Sequence, residues 1–238
     1  MSELPNIYGF NKASEIGPDI LAPCIFLKGC NLRCPYCMNA KLVKDCNLEP
    51  IDLEIVKKYV LEEKSQWVLI SGGEPTLTSI NALCELVNEL RSWGCKVGMS
   101  TNGTNPDILT VLLPLLNYVA LDFKTIRNDD IEVVPLDRVY TISVLTSLVR
   151  LMETKLNNKD FDFEIRTTLY PHFINEDTIR QIGSTLRKDT TWMLQQFRHS
   201  EEMLSEKAYD VNPYTNEEVN GIIKIAKEYS CNVRLRYV

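Results

Sequence analysis

Short apolar runs alternate with amphipathic segments of helical period from Cys24 to Tyr237, and a chain punctuated in this way has few folds open to it. The apolar runs at residues 24–27, 67–70, 96–100, 118–123, 161–169, 192–197 and 232–237 read as strands. Residues 51–64, 77–93, 106–113, 175–187 and 217–229 read as helices, with Asp52 and Asn175 placed to start two of them and Pro106 in the first turn of another. Residues 136–155 are a weaker helical pattern whose β-rich middle, 140–144, leaves helix or strand open. Strands that alternate with helices pair in parallel, with the helices outside and right-handed crossovers. About six such units are too few to close an eight-unit barrel. The expected fold is therefore α/β, a partial, laterally open (β/α)6 TIM-like barrel. Residues 1–238 are expected to form one domain, with residues 1–23 as an irregular lead-in arm.

In barrels of this kind the loops that carry chemistry follow the C-terminal ends of the strands. The first such loop holds Cys30, Cys34 and Cys37. Three thiolates at these spacings can converge on one inorganic centre. An iron–sulfur cubane has four irons, so three protein ligands leave one iron open to an exogenous ligand. Other readings fit less well. Cys34-Pro35-Tyr36-Cys37 alone would read as a dithiol redox pair, which leaves Cys30 without a role. A zinc knuckle needs a second pair of ligands, and His172 and His199 are far from the cysteines and from each other. Lone histidines near strand ends are more often structural or exposed than ligands. Cys24, Cys46, Cys84, Cys95 and Cys231 are scattered singly, which disfavours a disulfide framework and suits small core hydrophobes.

Composition narrows the surroundings. A net charge of −6 opposes a broad electrostatic hold on nucleic acid or anionic lipid, so neither is expected as a partner. No run approaches the ~20 apolar residues of a membrane span and no signal-peptide pattern opens the chain. Free cysteines then suit a reducing cytoplasm.

Each later strand also ends in residues with chemical capacity. Gly72-Gly73 lets backbone approach a ligand closely, or serves a plain strand–helix turn. On the ligand reading, a branched side chain at Gly73 blocks the cofactor while leaving the cysteine site intact. Asp122 and Lys124 alternate around Phe123 and face one side, either toward the polar groups of a cofactor or as a surface ion pair. Glu164 and Arg166 share a strand face. A barrel-interior arginine needs a carboxylate, either a cofactor's or that of Glu164.

C-x3-C-x2-C with Tyr36 before the last cysteine, followed by Ser71-Gly72-Gly73-Glu74-Pro75 at a strand end, resembles the radical S-adenosylmethionine superfamily. Thr101-Asn102-Gly103, Ala120-Leu121-Asp122-Phe123-Lys124, Phe163-Glu164-Ile165-Arg166 and Leu194-Gln195-Gln196-Phe197-Arg198 extend the likeness. In this order they are similar to the activating component of anaerobic ribonucleoside-triphosphate reductase in its pyruvate-formate-lyase-activase-like form. Met38 stands where that family commonly has His, and Gly17-Pro18-Asp19-Ile20 replaces a more regular turn.

The resemblance implies a 4Fe-4S cluster on Cys30, Cys34 and Cys37, and S-adenosylmethionine held among Tyr36, Gly72, Gly73, Glu74, Thr101, Asn102, Asp122, Lys124 and Arg166. It implies no catalytic residue beyond cluster and cofactor. The implied reaction is reductive cleavage of the cofactor to methionine and a 5′-deoxyadenosyl radical, which abstracts hydrogen from a glycine of a partner glycyl-radical enzyme. A flavodoxin or ferredoxin would supply the electron. The open side of the barrel would dock the partner's glycine loop, and the acidic surface implies a basic or neutral rim on that partner.

Overall fold

The computed structural model describes residues 4–16, 20–44, 47–126 and 139–237. Cys46, residues 17–19 and the first part, 136–138, of the ambiguous helical pattern lie outside the described residues. An eight-stranded sheet follows chain order from β1 to β8. β2 (Ile20–Leu27), β3 (Trp67–Gly72), β4 (Lys96–Thr101), β5 (Tyr118–Asp122), β6 (Asp162–Leu169), β7 (Thr191–Gln196) and β8 (Asn232–Tyr237) run parallel. β1 (Gly9–Ile16) joins the outer edge of β2 antiparallel. Helices α2 (Leu53–Glu62), α3 (Ile80–Ser92), α4 (Pro106–Leu112), α5 (Tyr140–Asn157), α6 (Glu176–Gly183) and α7 (Asn216–Ala226) make the crossovers, and a short α1 (Ala40–Val43) follows the cysteine loop. The sheet curls without closing, because no pairing joins β8 to β1 among the described residues. This is the partial, laterally open (β/α)6 barrel that strand–helix alternation requires.

The main core lies between the convex face of the sheet and the helices, where Trp192, Phe161, Phe123, Leu86 and Leu90 are fully buried. Each such side chain contributes about 1.5–3 kcal/mol by leaving water. A second, smaller cluster of Ala22, Cys24, Leu69, Tyr118 and Ala120 plugs the concave face. Two residues further along β3 and β5, on the same face, stand Ser71 and Asp122. The concave face thus changes from apolar to polar toward the C-terminal strand ends, which is where a site can form.

The lead-in is a correction to the sequence reading. Residues 9–16 form a strand, and β2 begins at Ile20, four residues before Cys24. As an edge strand with mostly exposed side chains, β1 carries no period-2 signal. Pro23 inside β2 also masks the strand, since it cannot donate to a ladder. The partner strand compensates with a bulge between Asn11 and Ser14, opposite that proline. The helix expected over 77–93 starts at Ile80, because Ser79 accepts a bond from Ala82 N (3.4 Å) and caps it, leaving Pro75–Leu77 as a separate 3-10 turn. The ambiguous residues 140–144 are helical. Tyr140, Val144, Ser147, Leu148 and Leu151 form one buried stripe at helical spacing, and that stripe outweighs their β propensity.

Candidate functional site

The cysteine loop leaves β2 and is pinned from several sides. Gly29 N donates to Leu42 O (2.9 Å), which ties the loop to α1. Asn39 Nδ2 donates to Gly72 O (3.0 Å) at the end of β3, and Asn102 Nδ2, just after β4, to Asn31 Oδ1 (2.9 Å). Beyond β7, Leu204 N donates to Cys37 O and Ser205 N to Pro35 O, each at 3.1 Å. A loop held by its neighbours at both flanks presents its thiols without further ordering cost. Cys34 is buried, while Cys30 and Cys37 are half-buried, and every cysteine among the described residues is free. All three border one cavity of about 260 Å³ at the C-terminal end of the sheet.

Gly72 and Gly73 form the next wall, and the reason for glycine here is close at hand. Gly73 N donates to Leu27 O (2.8 Å) and Glu74 N to Gly29 O (2.7 Å), so the chain after β3 runs against the start of the cysteine loop. A Cβ on Gly73 would lie 1.8 Å from Gly29 O, and one on Gly72 would lie 2.3 Å from Leu27 O at a backbone φ of +112°. This geometry weighs against the expectation that a larger residue at 73 spares the cysteine site. That side chain meets the cysteine loop before it meets any ligand.

Glu74 is 1% exposed and clamps two loops together. Its Oε1 accepts from Thr76 N (3.0 Å), Thr76 Oγ1 (2.6 Å) and Thr101 Oγ1 (2.7 Å), and its Oε2 accepts from Asn102 N (2.6 Å). Burial outweighs these donors and holds the carboxyl above its usual range. Glu74, Thr101 and Asn102 are thus brought together chiefly onto one another at the cavity wall.

Asp122, Lys124 and Arg166 make a largely buried triad in place of a surface pair. Arg166 Nε donates to Asp122 Oδ1 (2.7 Å), and Lys124 Nζ lies 3.1 Å from Asp122 Oδ2. Burial alone would raise the Asp122 carboxyl, but the two cations prevail and hold it below its usual value. Glu164 is not the partner of Arg166. It pairs instead with Arg236 (3.3 Å), which also meets Glu15 on β1 across the open side of the barrel. Tyr36 packs against Tyr170 (ring centroids 4.9 Å apart) and Phe197 (6.3 Å), with its buried hydroxyl unpartnered.

Every residue singled out from sequence for cluster or cofactor borders this one cavity. Sequence reasoning assigned no role to Ser71, Ser100, Thr168, Gln195 and Gln196, which also line it. Counting by twos along β6 from Arg166 reaches Thr168, but that Gln195 stands beside it depends on strand register. His199 bonds Val211 O (3.0 Å) and His172 is exposed, both outside the cavity.

The donor set suits an iron–sulfur cluster. Three thiols face one cavity, with the Lys124 ammonium close enough to act on each of them. Burial pushes Cys34 up to about 12 and Cys30 to about 11, so these thiols stay neutral unless a metal draws the protons off. Sulfur-only ligation favours iron–sulfur clusters, zinc or copper(I) over hard cations, and among the described residues no three such donors are placed to hold a single metal ion, which disfavours zinc and copper(I) here.

Residues 24–180 match the model of the radical SAM superfamily, and the chain belongs to that superfamily. A Methanocaldococcus jannaschii protein named "Putative glycyl-radical enzyme activating enzyme" is 30% identical over 223 residues, 93% of this chain and 91% of that one. A 7-carboxy-7-deazaguanine synthase from Methanopyrus kandleri is 30% identical over 116 residues, 40% of this chain and 46% of its own. Among solved structures, a domain of a pyruvate-formate lyase-activating enzyme from Bacteroides vulgatus has the same fold, with a TM-score of 0.53 at 15% identity, covering 72% of this chain and 98% of that one.

Proposed function

We propose that this chain is an activating enzyme that uses S-adenosylmethionine and a reduced 4Fe-4S cluster to place a glycyl radical on a partner, an anaerobic ribonucleoside-triphosphate reductase. The observation that carries the reading is the length of the match to the M. jannaschii relative, 93% of this chain, against 40% for the deazaguanine synthase.

Cys30, Cys34 and Cys37 would hold the cluster. When bound, it supplies the electron that splits S-adenosylmethionine into methionine and a 5′-deoxyadenosyl radical, which takes hydrogen from a glycine Cα. Lys124 and Arg166 set two cations against the single carboxylate of Asp122, so the triad has capacity for one more anion, such as the cofactor's carboxylate. Glu74, Thr101 and Asn102 keep the wall rigid, Gly72 and Gly73 let it stand close to the cysteine loop, and Tyr36 with Tyr170 and Phe197 excludes water from one flank. A flavodoxin or ferredoxin supplies the electron in a reducing cytoplasm.

The test is to reconstitute and reduce the protein under argon, add the reductase with S-adenosylmethionine, and record electron paramagnetic resonance. A glycyl signal that depends on all three components is expected. Cofactor cleavage without that signal, on any candidate glycyl-radical enzyme, would move the reading to a small-molecule substrate.

A further inference from the structure

A second cavity opens on the unclosed side of the barrel, bounded by Asn11, Ser14 and Glu15 of β1 and by Arg236 and Tyr237 of β8. It meets the cysteine cavity at shared lining residues, among them Ser100, Arg166 and Gln195. Gln195 lies on the inner face of β7, in register with Thr168 on β6 and Arg236 on β8. It is 9% exposed, and its carboxamide makes no hydrogen bond among the described residues. A carboxamide whose donor and acceptor are unused by the described residues, and which borders both cavities, is placed to meet a ligand there.

The surrounding charges narrow what that partner is. Arg236, beside Gln195, is held between Glu15 and Glu164, and Arg166 is held by Asp122. An anion beside Arg236 would have to break one of its two pairs, and the spare capacity of Lys124 and Arg166 is, on the reading above, taken by the cofactor's carboxylate. The neutral groups here without a hydrogen-bond partner among the described residues are the carboxamide of Gln195, the hydroxyl of Ser100 and the Oε1 of Gln196, whose Nε2 is fixed on Tyr214 O (2.9 Å); the Oε2 of Glu164, also unpartnered, is an acceptor and offers nothing to an anion. A neutral ligand with one N–H and one C=O is what such groups complement, and the outer edge of β8, which pairs with no strand among the described residues, lets extended main chain reach them.

We infer that Gln195 binds a peptide group of the substrate, donating Nε2–H to a main-chain carbonyl and accepting a main-chain N–H, and so sets the residue presented to the radical. This deepens the activating-enzyme reading and rests on it. The carboxamide could also meet the Hoogsteen edge of the cofactor's adenine, and the experiment separates the two.

Blocked Ala-Gly-Ala amide and its depsipeptide, with an ester replacing the amide after glycine, are titrated calorimetrically into the cluster-loaded enzyme with S-adenosylmethionine present. The parent is expected to prefer the amide about tenfold, the worth of one or two neutral hydrogen bonds. In Gln195→Met, of similar length, the preference disappears. Gln195→Glu, which keeps the acceptor and loses the donor, is the second variant and retains part of it. An undiminished preference in both variants, no preference in the parent, or a fall in cofactor affinity matching the fall for peptide overturns the inference. If the parent binds neither peptide and raises no glycyl signal, the activating-enzyme reading fails as well. Peptide binding without discrimination sinks only the role of Gln195.

Discussion

Asp122 shows how much of this site is decided by single side chains. It balances Arg166 and Lys124 in a setting where all three are mostly withdrawn from water. Asp122→Asn leaves two buried cations without a counter-charge, and the expected loss at neutral pH is on the order of 3 kcal/mol, read by chemical denaturation. The pH dependence has a definite sign. Its folded carboxyl titrates below the ordinary 3.8, so the stability it contributes is complete above that value and is lost as pH falls through the lower folded value. The parent should therefore lose stability more steeply below about pH 4 than Asp122→Asn does. Gly73→Ala is expected to cost iron as well as cofactor affinity, because its Cβ would sit 1.8 Å from Gly29 O, one residue before Cys30. Full iron content in that variant would show that the cysteine loop can step aside. Cys34→Ala should lose the cluster, and Cys95→Ala, whose thiol bonds Ser65 O far from the cavity, should keep it by iron analysis and visible absorption.

At the scale of elements, a side chain of β8 ties the open barrel across its gap. Arg236 on β8 reaches Glu15 on β1 and the fully buried Glu164 on β6. Arg236→Met removes both contacts and strands the Glu164 carboxylate, at an expected cost of about 3–5 kcal/mol. Adding Glu164→Gln should recover part of that loss, since the stranded charge is then gone. A double variant no more stable than Arg236→Met by thermal unfolding would show that the loss does not come from the contact with Glu164. The elements themselves follow local rules where these are strong. The Thr215–Glu218 capping box begins α7, and the Asn175–Thr178 box begins α6 within one residue of the position that Asn175 marks. Where a local rule is missing, as in β1 with its proline-opposed bulge, only the paired strand reveals the element.

For the whole molecule, the lateral gap and the acidic surface make a joint prediction. Reduced enzyme alone should cleave S-adenosylmethionine slowly, and added reductase should speed it by filling the gap and displacing water. Raised ionic strength should weaken that stimulation, in keeping with a net charge of −6 meeting a basic or neutral rim. Stimulation indifferent to salt would mean that docking is governed by shape and apolar contact. The sequence by itself determined the alternation of strands and helices, the six crossovers and the strand ends that hold the cysteines, Gly72-Gly73 and Asp122, because periodicity and motif spacing are local properties of the chain. Tertiary structure alone decided partners and register: that Arg166 meets Asp122 while Glu164 meets Arg236, that Gly73 yields to Gly29, and that Gln195 stands between two cavities. Those pairings join residues tens of positions apart, and they depend on how neighbouring strands align, which no local pattern encodes.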